Sequence, residues 1–177
     1  TAFAQDITYE TSVGKIFTDR LKISPKGIEW KETTWTLDSI TRIRWGGVKH
    51  SVNGIPTGTT YSVYFGSETN FTGIHLSKSQ YDNFVDCLWK AVGVNILTNF
   101  LKGLQSGKQY VIGTTEINDE GMVLEKYNFF SANEKKYFRW NELSISNDSG
   151  CFCIGLKDKK FQASFSYLEH DNTHILE

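Results

Sequence analysis

The 177-residue chain lacks several features that would assign it to a cellular compartment or a membrane class. No apolar run reaches the ~18 residues that a membrane-spanning helix needs. Cysteine is sparse and odd in number, with Cys87, Cys151 and Cys153 as the whole set. Secreted domains held by disulfides have more cysteines, usually in even number. We therefore expect a cytoplasmic protein with no transmembrane segment.

The chain also lacks an excess of charge of either sign. It has 19 basic and 20 acidic residues, which gives a formal net charge of −1. A charge so close to zero produces no overall field that would attract nucleic acid. We expect no nucleic-acid partner, and binding to an anionic membrane surface would need a local basic patch.

Motifs of common catalytic sites are missing as well. The sequence contains neither a Gly-x-Ser-x-Gly elbow nor a Gly-x4-Gly-Lys-Ser/Thr phosphate loop. One alternative is a metal-dependent enzyme that binds zinc through Cys151, Cys153, His170 and His174. Residues two positions apart on a strand share a face, as do residues four positions apart on a helix, so each pair could point at one ion. A straight strand wraps a metal ion poorly, so we predict no catalytic residue, no metal site and no cofactor.

What the sequence does contain is a plan that occurs twice. Gly14-Lys15 and Gly107-Lys108 each precede a turn ending in glycine and then an apolar strand. Further on, a tryptophan is followed four and five residues later by Ser-Ile, at residues 35–40 and again at 140–145. The offset of roughly 90–105 residues is too long for a solenoid repeat and indicates a duplicated domain.

Each half reads as short antiparallel strands followed by a helix. Alternation near residues 40–45 places Ile43 and Trp45 on one face of a strand. Residues 46–59 are rich in Gly, Ser, Thr and Asn, which predicts a long loop. Ser77 and Gln80 form a capping box before an amphipathic helix with a possible kink at Gly93, and a second helix is predicted from Ser166.

This plan resembles tandem pleckstrin-homology-like domains of bacterial proteins. The segments that carry the likeness are residues 40–59, 88–94 and 131–134. The resemblance implies a mainly β protein with helices (α+β), with two antiparallel barrels or curved sheets, each capped by a C-terminal helix. We expect a first domain at residues 1–93, a helical connector at 94–106 and a second domain at 107–177, whose last helix would continue past Glu177.

The resemblance also implies a binding function rather than catalysis. Pleckstrin-like domains bind phosphoinositides or peptides, and the lipid-binding members share a basic motif that Lys15, Arg20 and Lys22 match in part. We expect a scaffolding module that acts through protein–protein contacts, including self-association. Binding of an anionic lipid or phosphate ligand through residues 42–60 is the alternative.

Two groups of residues are the candidate sites. Arg42, Arg44, Lys49 and His50 could form a local basic patch that holds a phosphate or an acidic peptide. Phe129 and Phe130 are adjacent aromatics in a predicted loop, and they could anchor a protein partner.

Overall fold

The computed structural model describes residues 6–126 and 132–177. The protein is mainly β, with one long helical segment. The chain forms two compact units, Thr1–Leu97 and Thr98–Glu177. The predicted connector, residues 94–106, contains the boundary between them.

The first unit has a four-stranded and a three-stranded antiparallel sheet, joined by a 3₁₀ turn at Leu37–Ser39. The strands of the first sheet are β1 (Tyr9–Val13), β2 (Asp19–Ser24), β3 (Gly27–Trp30) and β4 (Thr33–Trp35). Those of the second are β5 (Arg42–Val52), β6 (Ile55–Gly66) and β7 (Phe71–Leu76).

Period-2 alternation builds the core of the first unit. One face of each central strand is apolar and fully buried, with Leu21 and Ile23 on β2 and Val63 and Phe65 on β6. Phe84 of the following helix packs its ring against Phe65, with centroids 5.9 Å apart. Burial of these side chains stabilises the unit by about 1.5–3 kcal/mol each.

The helical segment begins at the predicted cap. The Ser77 hydroxyl accepts from the amide of Gln80, and the Gln80 side chain accepts from the amide of Ser77. Helix α1 (Lys78–Leu88) passes through one π-helical turn (Trp89–Gly93) into α2 (Val94–Gln105). The helix irregularity predicted at Gly93 is therefore this π-helical turn. The ring of Trp89 lies over Gly93, where a methyl group would collide with it.

The second unit repeats the order of four strands, a 3₁₀ turn (Trp140–Glu142), three strands and a helix. Its strands are β8 (Tyr110–Ile112), β9 (Thr115–Ile117), β10 (Gly121–Lys126), β11 (Glu134–Arg139), β12 (Ser144–Asp148), β13 (Cys151–Gly155) and β14 (Gln162–Ser166), followed by α3 (Thr173–Leu176). Met122, Leu124 and Phe152 lie in its core, and Phe100 and Leu104 of α2 pack against it.

Glycines mark equivalent positions in the two units. A methyl group on Gly27 would collide with the carbonyl oxygen of Trp35, and one on Gly121 would collide with that of Phe138. Trp35 therefore corresponds to Phe138 rather than to Trp140, although the sequence repeat aligned the two tryptophans. Burial agrees, since Trp35 is 4% exposed and Trp140 is 39% exposed.

Several local predictions are wrong. Residues 46–59 form the outer part of a β-hairpin instead of a loop, because the Asn53-Gly54 pair allows a two-residue turn. The helix predicted from Ser166 begins at Thr173. Of the two predicted sheet forms, barrels are not found among the described strands, and curved sheets stay a prediction.

The helical segment from Lys78 to Gln105 also bears on the membrane question. Its 28 residues are long and apolar enough to cross a membrane, by length and composition alone. Phe84, Leu88 and Val92 within it are buried in the protein. The expectation that no segment spans a membrane stays a prediction.

Candidate functional site

The outer face of the sheet β5–β6–β7 carries two of the predicted basic residues. Ile43 and Trp45 are buried on the inner face, as the alternation predicted, so Arg42 and Arg44 lie on the opposite face. Both arginines are half-buried. β5 therefore presents them side by side along one strand.

Aromatic rings hold these two arginines in place. The guanidinium carbons of Arg42 and Arg44 lie 4.7 and 4.8 Å from the centre of the Phe71 ring. Tyr64 stacks on Phe71 with ring centroids 6.3 Å apart. Tyr64 pairs with Gly73 on β7, and a methyl group on Gly73 would collide with the Tyr64 ring. Cation–π contacts of this kind contribute about 0.5–2 kcal/mol each and hold the guanidinium in position.

The other two predicted cations do not join this pair. His50 has the same parity as Arg44, but six residues of extended strand separate them by about 20 Å. Lys49 has the opposite parity and lies on the other face of the hairpin. The four cations are therefore distributed along β5 rather than gathered into one pocket.

Hydrogen bonds between histidine and hydroxyl groups extend the polar character of the outer face. His50 Nε2 lies 2.8 Å from the Thr60 hydroxyl, and His75 Nδ1 lies 2.9 Å from the Ser62 hydroxyl. From residue 39 to residue 67 the sequence contains no carboxylate. This stretch therefore has three permanent cations in a chain whose net charge is −1, which makes it a local basic region.

Beyond β7, the hairpin continues as a two-stranded arm, defined here as residues 48–60. Every residue from 48 to 59 is exposed, including Val48, Val52 and Ile55 at 44%, 61% and 68%. Asn53 and Gly54 at its tip have φ angles of 52° and 80°, as in a type I′ turn. The Asn-Gly pair in the sequence was the signal that could have predicted this arm.

The arginine of the basic motif that the family resemblance implied near the first hairpin is paired with carboxylates. Arg20 donates two hydrogen bonds to the carboxylate of Glu10, at 2.6 and 2.9 Å, and lies 3.8 Å from Glu29. The hydrogen bond from Arg20 lowers the pKa of Glu10, although burial opposes this. An arginine bound in this way is a weak candidate for holding a lipid head group.

The remaining candidates form no site in the part of the chain that is described. Phe129 and Phe130 lie outside the described residues. Cys153 contacts the Ser164 hydroxyl at 3.5 Å, and His170 Nδ1 accepts a hydrogen bond from the Ser166 amide. Within residues 6–126 and 132–177 no group of three metal-binding side chains comes together.

No family model, curated protein or solved structure matches this chain.

Proposed function

We propose that this protein is a binding module that acts through protein–protein contacts, with the β5 strand of the arm, residues 48–52, as its docking surface. The observation that carries the proposal is the arm, a regular hairpin whose residues 48–59 are exposed on both faces. Among the described strands, β5 lies at the edge of its sheet, and the arm carries that edge from Val48 to Val52. An edge strand offers backbone amides and carbonyls to which a strand of another protein can add.

The arm is organised before any partner arrives. Its two strands are paired from Val52–Ile55 at the tip through to Arg42–Gly66, with one irregularity between His50 and Ser51. A preformed strand avoids most of the entropy cost of ordering a binding segment. Long exposed edges are usually protected in proteins that remain monomeric, so this exposed edge favours a docking role.

Charge defines the class of partner. β5 carries Arg42, Arg44 and Lys49, while no carboxylate lies between residues 39 and 67. Exposed Val48 and Val52 on the same strand would pack against apolar side chains of an added strand. The partner is therefore a protein segment that is extended and carries Asp or Glu between apolar residues.

The repeated plan of the chain supports a binding role. Both units contain four strands, a 3₁₀ turn, three strands and a helix, in the same order. This order is consistent with a tandem of pleckstrin-like domains, in which hairpins and loops bind ligands. Such a scaffold carries binding surfaces without requiring catalytic groups.

A peptide selection with an arm-shortened variant tests the proposal. Removing residues 48–52 and 55–60 joins Gly47 to Asn53-Gly54 and then to Tyr61, which keeps the Gly47–Tyr61 pair and the turn. A library of random peptides would be selected on the full chain. We expect enriched peptides to alternate apolar and acidic residues and to bind the full chain at least ~10-fold more tightly than the variant.

The charge part of the proposal has its own control. Lys49→Glu reverses a charge on the arm, and Lys102→Glu makes the same change in α2, within the second unit. The first should weaken the selected peptides and the second should not. Selected peptides that bind the arm-shortened variant as well as the full chain would show that the arm is not the docking surface.

A second candidate function, binding of an anionic lipid or phosphate ligand, is favoured by the two arginines that stack on Phe71. Co-sedimentation with phosphatidylserine vesicles at low salt tests it, because screening of charge is weakest there. The double variant Arg42→Gln and Arg44→Gln should abolish binding, whereas Lys102→Gln should not. Absence of binding to these vesicles at low salt would exclude a charge-driven lipid surface.

A further inference from the structure

A cleft in the second unit opens where two strands share one edge of β10. Ile117 of β9 pairs with Met122, and Gln162 of β14 pairs with Glu125, on the edge of β10 that β11 does not occupy. If β9 continued along β10, it would take the place that β14 occupies. If β14 continued along β10, it would take the place of β9. They diverge instead and leave a cleft of about 530 Å³.

The main chain of β14 contributes polar groups to this cleft. The Ser166 amide donates to His170 Nδ1 at 2.9 Å, and the Ser166 carbonyl accepts from the His170 amide at 3.1 Å. Tyr167 pairs with Gly150, on the β13 side. Because pairing alternates along an antiparallel strand, the amide and carbonyl of Ser164 face away from β13, as do those of Ser166. Ser164 lines the cleft, so a backbone donor faces into it.

His170 supplies a second donor. Its Nδ1 accepts the Ser166 amide hydrogen, so the neutral ring carries its proton on Nε2. The ring faces the β8–β9 turn, where a methyl group on Gly113 would lie 3.8 Å from Nε2. Both residues line the cleft. The hydrogen bond from the Ser166 amide therefore occupies Nδ1 and leaves Nε2–H as the donor at the cleft wall.

Two lysines give the cleft a positive balance. Lys159 and Lys160, in the loop between β13 and β14, line it together with a single carboxylate, that of Glu125. Lys159 has a φ of 56°, in the left-handed region that non-glycine residues seldom adopt. Lys160 lies 3.4 Å from Asp158, which also accepts a hydrogen bond from the Lys160 amide, so part of the Lys160 charge is paired within the loop. Phe165 and Ile112 supply an apolar wall.

We propose that this cleft binds a small organic anion. The carboxylate or phosphate of the ligand contacts the ammonium groups of Lys159 and Lys160 and the Nε2–H of His170, and its apolar body packs against Phe165. The volume is within the range of small-molecule sites, which combine an apolar lining with a few convergent polar groups. This site is independent of the arm of the first unit and does not require the docking function.

Amide chemical shifts measure binding to this cleft directly. The full chain, labelled with ¹⁵N, would be titrated with benzoate and with phenyl phosphate, and separately with neutral benzyl alcohol. We expect the two anions to shift the amides of Gly113, Ser164 and His170 saturably, and the alcohol to leave them unchanged. The comparison of benzoate with phenyl phosphate shows which anionic group the cleft prefers.

Matched lysine variants test the assigned contacts. Lys159→Gly removes one charge at a φ that glycine adopts easily, and Lys160→Met removes the other. Together they should raise the dissociation constant at least ~10-fold, because both charge-assisted contacts to the anion are lost. Lys157→Met changes the charge of the same loop outside the cleft lining and should have less than about a twofold effect.

Three results would overturn the proposal. The first is the absence of saturable shifts at these amides with either anion at millimolar concentration. The second is equal binding of benzyl alcohol, which would remove the requirement for negative charge. The third is a loss of affinity in Lys157→Met as large as that in the double variant. That result would show that the overall charge of the loop, rather than contacts inside the cleft, causes the effect.

Discussion

The two units share one plan but extend it in different places. In the first, β5 and β6 have 11 and 12 residues, whereas the corresponding β12 and β13 have five each. Both hairpins end in two-residue turns with positive φ, at Asn53-Gly54 and at Ser149-Gly150. The arm is thus an elongation of a hairpin that the second unit keeps short.

The next loop shows the opposite difference. Four residues, Ser67 to Asn70, join β6 to β7, while six residues from Leu156 to Phe161 join β13 to β14. The longer loop brings Lys159 and Lys160 to the cleft of the second unit. The shared elements are scaffold, and both proposed binding surfaces lie where the units differ.

The largest effect is expected from the glycines that the units share. Gly27→Ala and Gly121→Ala would each push a methyl group into a backbone carbonyl oxygen, that of Trp35 or Phe138. We expect each to lower the free energy of unfolding by about 3 kcal/mol or more, measured by urea denaturation. Gly107→Ala is the control, since a methyl group there meets no atom within 4 Å, although its φ is 83°. Equal losses at Gly27 and Gly107, which both have a positive φ, would show that φ, rather than the close contact, sets the cost at Gly27.

A second prediction uses one tyrosine from each unit. Burial raises the pKa of Tyr81 to about 12, and burial together with the hydrogen bond to Glu177 raises that of Tyr167 to about 12. The unfolded chain loses these protons near pH 10, before the folded protein does. The contribution of these two tyrosines to stability should therefore be constant below pH 10 and fall as the pH rises toward 12.

Phenylalanine variants identify which unit responds to alkaline pH. Tyr81→Phe and Tyr167→Phe should each flatten the decline in stability between pH 10 and 12, measured by denaturation at a series of pH values. Tyr64→Phe serves as the comparison. A decline that persists unchanged in both variants would mean that other groups cause the alkaline loss.

The two hairpin turns allow a reciprocal exchange with a smaller effect. Asn53 and Ser149 hold the same turn position with φ angles of 52° and 49°, and asparagine tolerates this conformation better than serine. Ser149→Asn should stabilise the protein by about 0.5 kcal/mol, and Asn53→Ser should destabilise it by a similar amount. Thermal denaturation measures both. A change of the same sign in both variants would show that the turns are not equivalent.

The arm-shortened variant is expected to give the smallest change in stability. Its deleted residues are exposed or half-buried, and the buried pairs of β5 and β6 are retained. The free energy of unfolding should change by less than about 0.5 kcal/mol in urea denaturation. A larger loss would show that the arm supports the fold of the first unit and would weaken its assignment to binding.

Local signals in the sequence predicted a large part of the fold. The capping box at Ser77 and Gln80 located the start of α1, because its hydrogen bonds join residues three apart. Alternation placed Ile43 and Trp45 inside and their arginine neighbours outside. The reading of residues 46–59 as a loop failed because Gly, Ser and Thr were weighed as loop formers, while Asn53-Gly54 already specified a hairpin.

The candidate site was predicted less well than the fold. Proximity in sequence suggested one cluster of four cations, but an extended strand separates His50 from Arg44 and turns Lys49 to the other face. The contact of both arginines with Phe71 joins residues nearly thirty positions apart. No spacing rule within a single strand could have predicted it.

The sequence by itself determined what depends on near neighbours: the repeated order of elements, the faces of the strands, the helix cap and the turn residues. Tertiary structure decided the equivalence of Trp35 with Phe138, the stacking on Phe71 and the cleft of the second unit. The cleft exists because β9 and β14, more than forty residues apart, meet on the same edge of β10. Competition for one set of backbone hydrogen bonds is a property of the folded sheet, and it leaves no pattern in the sequence of either strand.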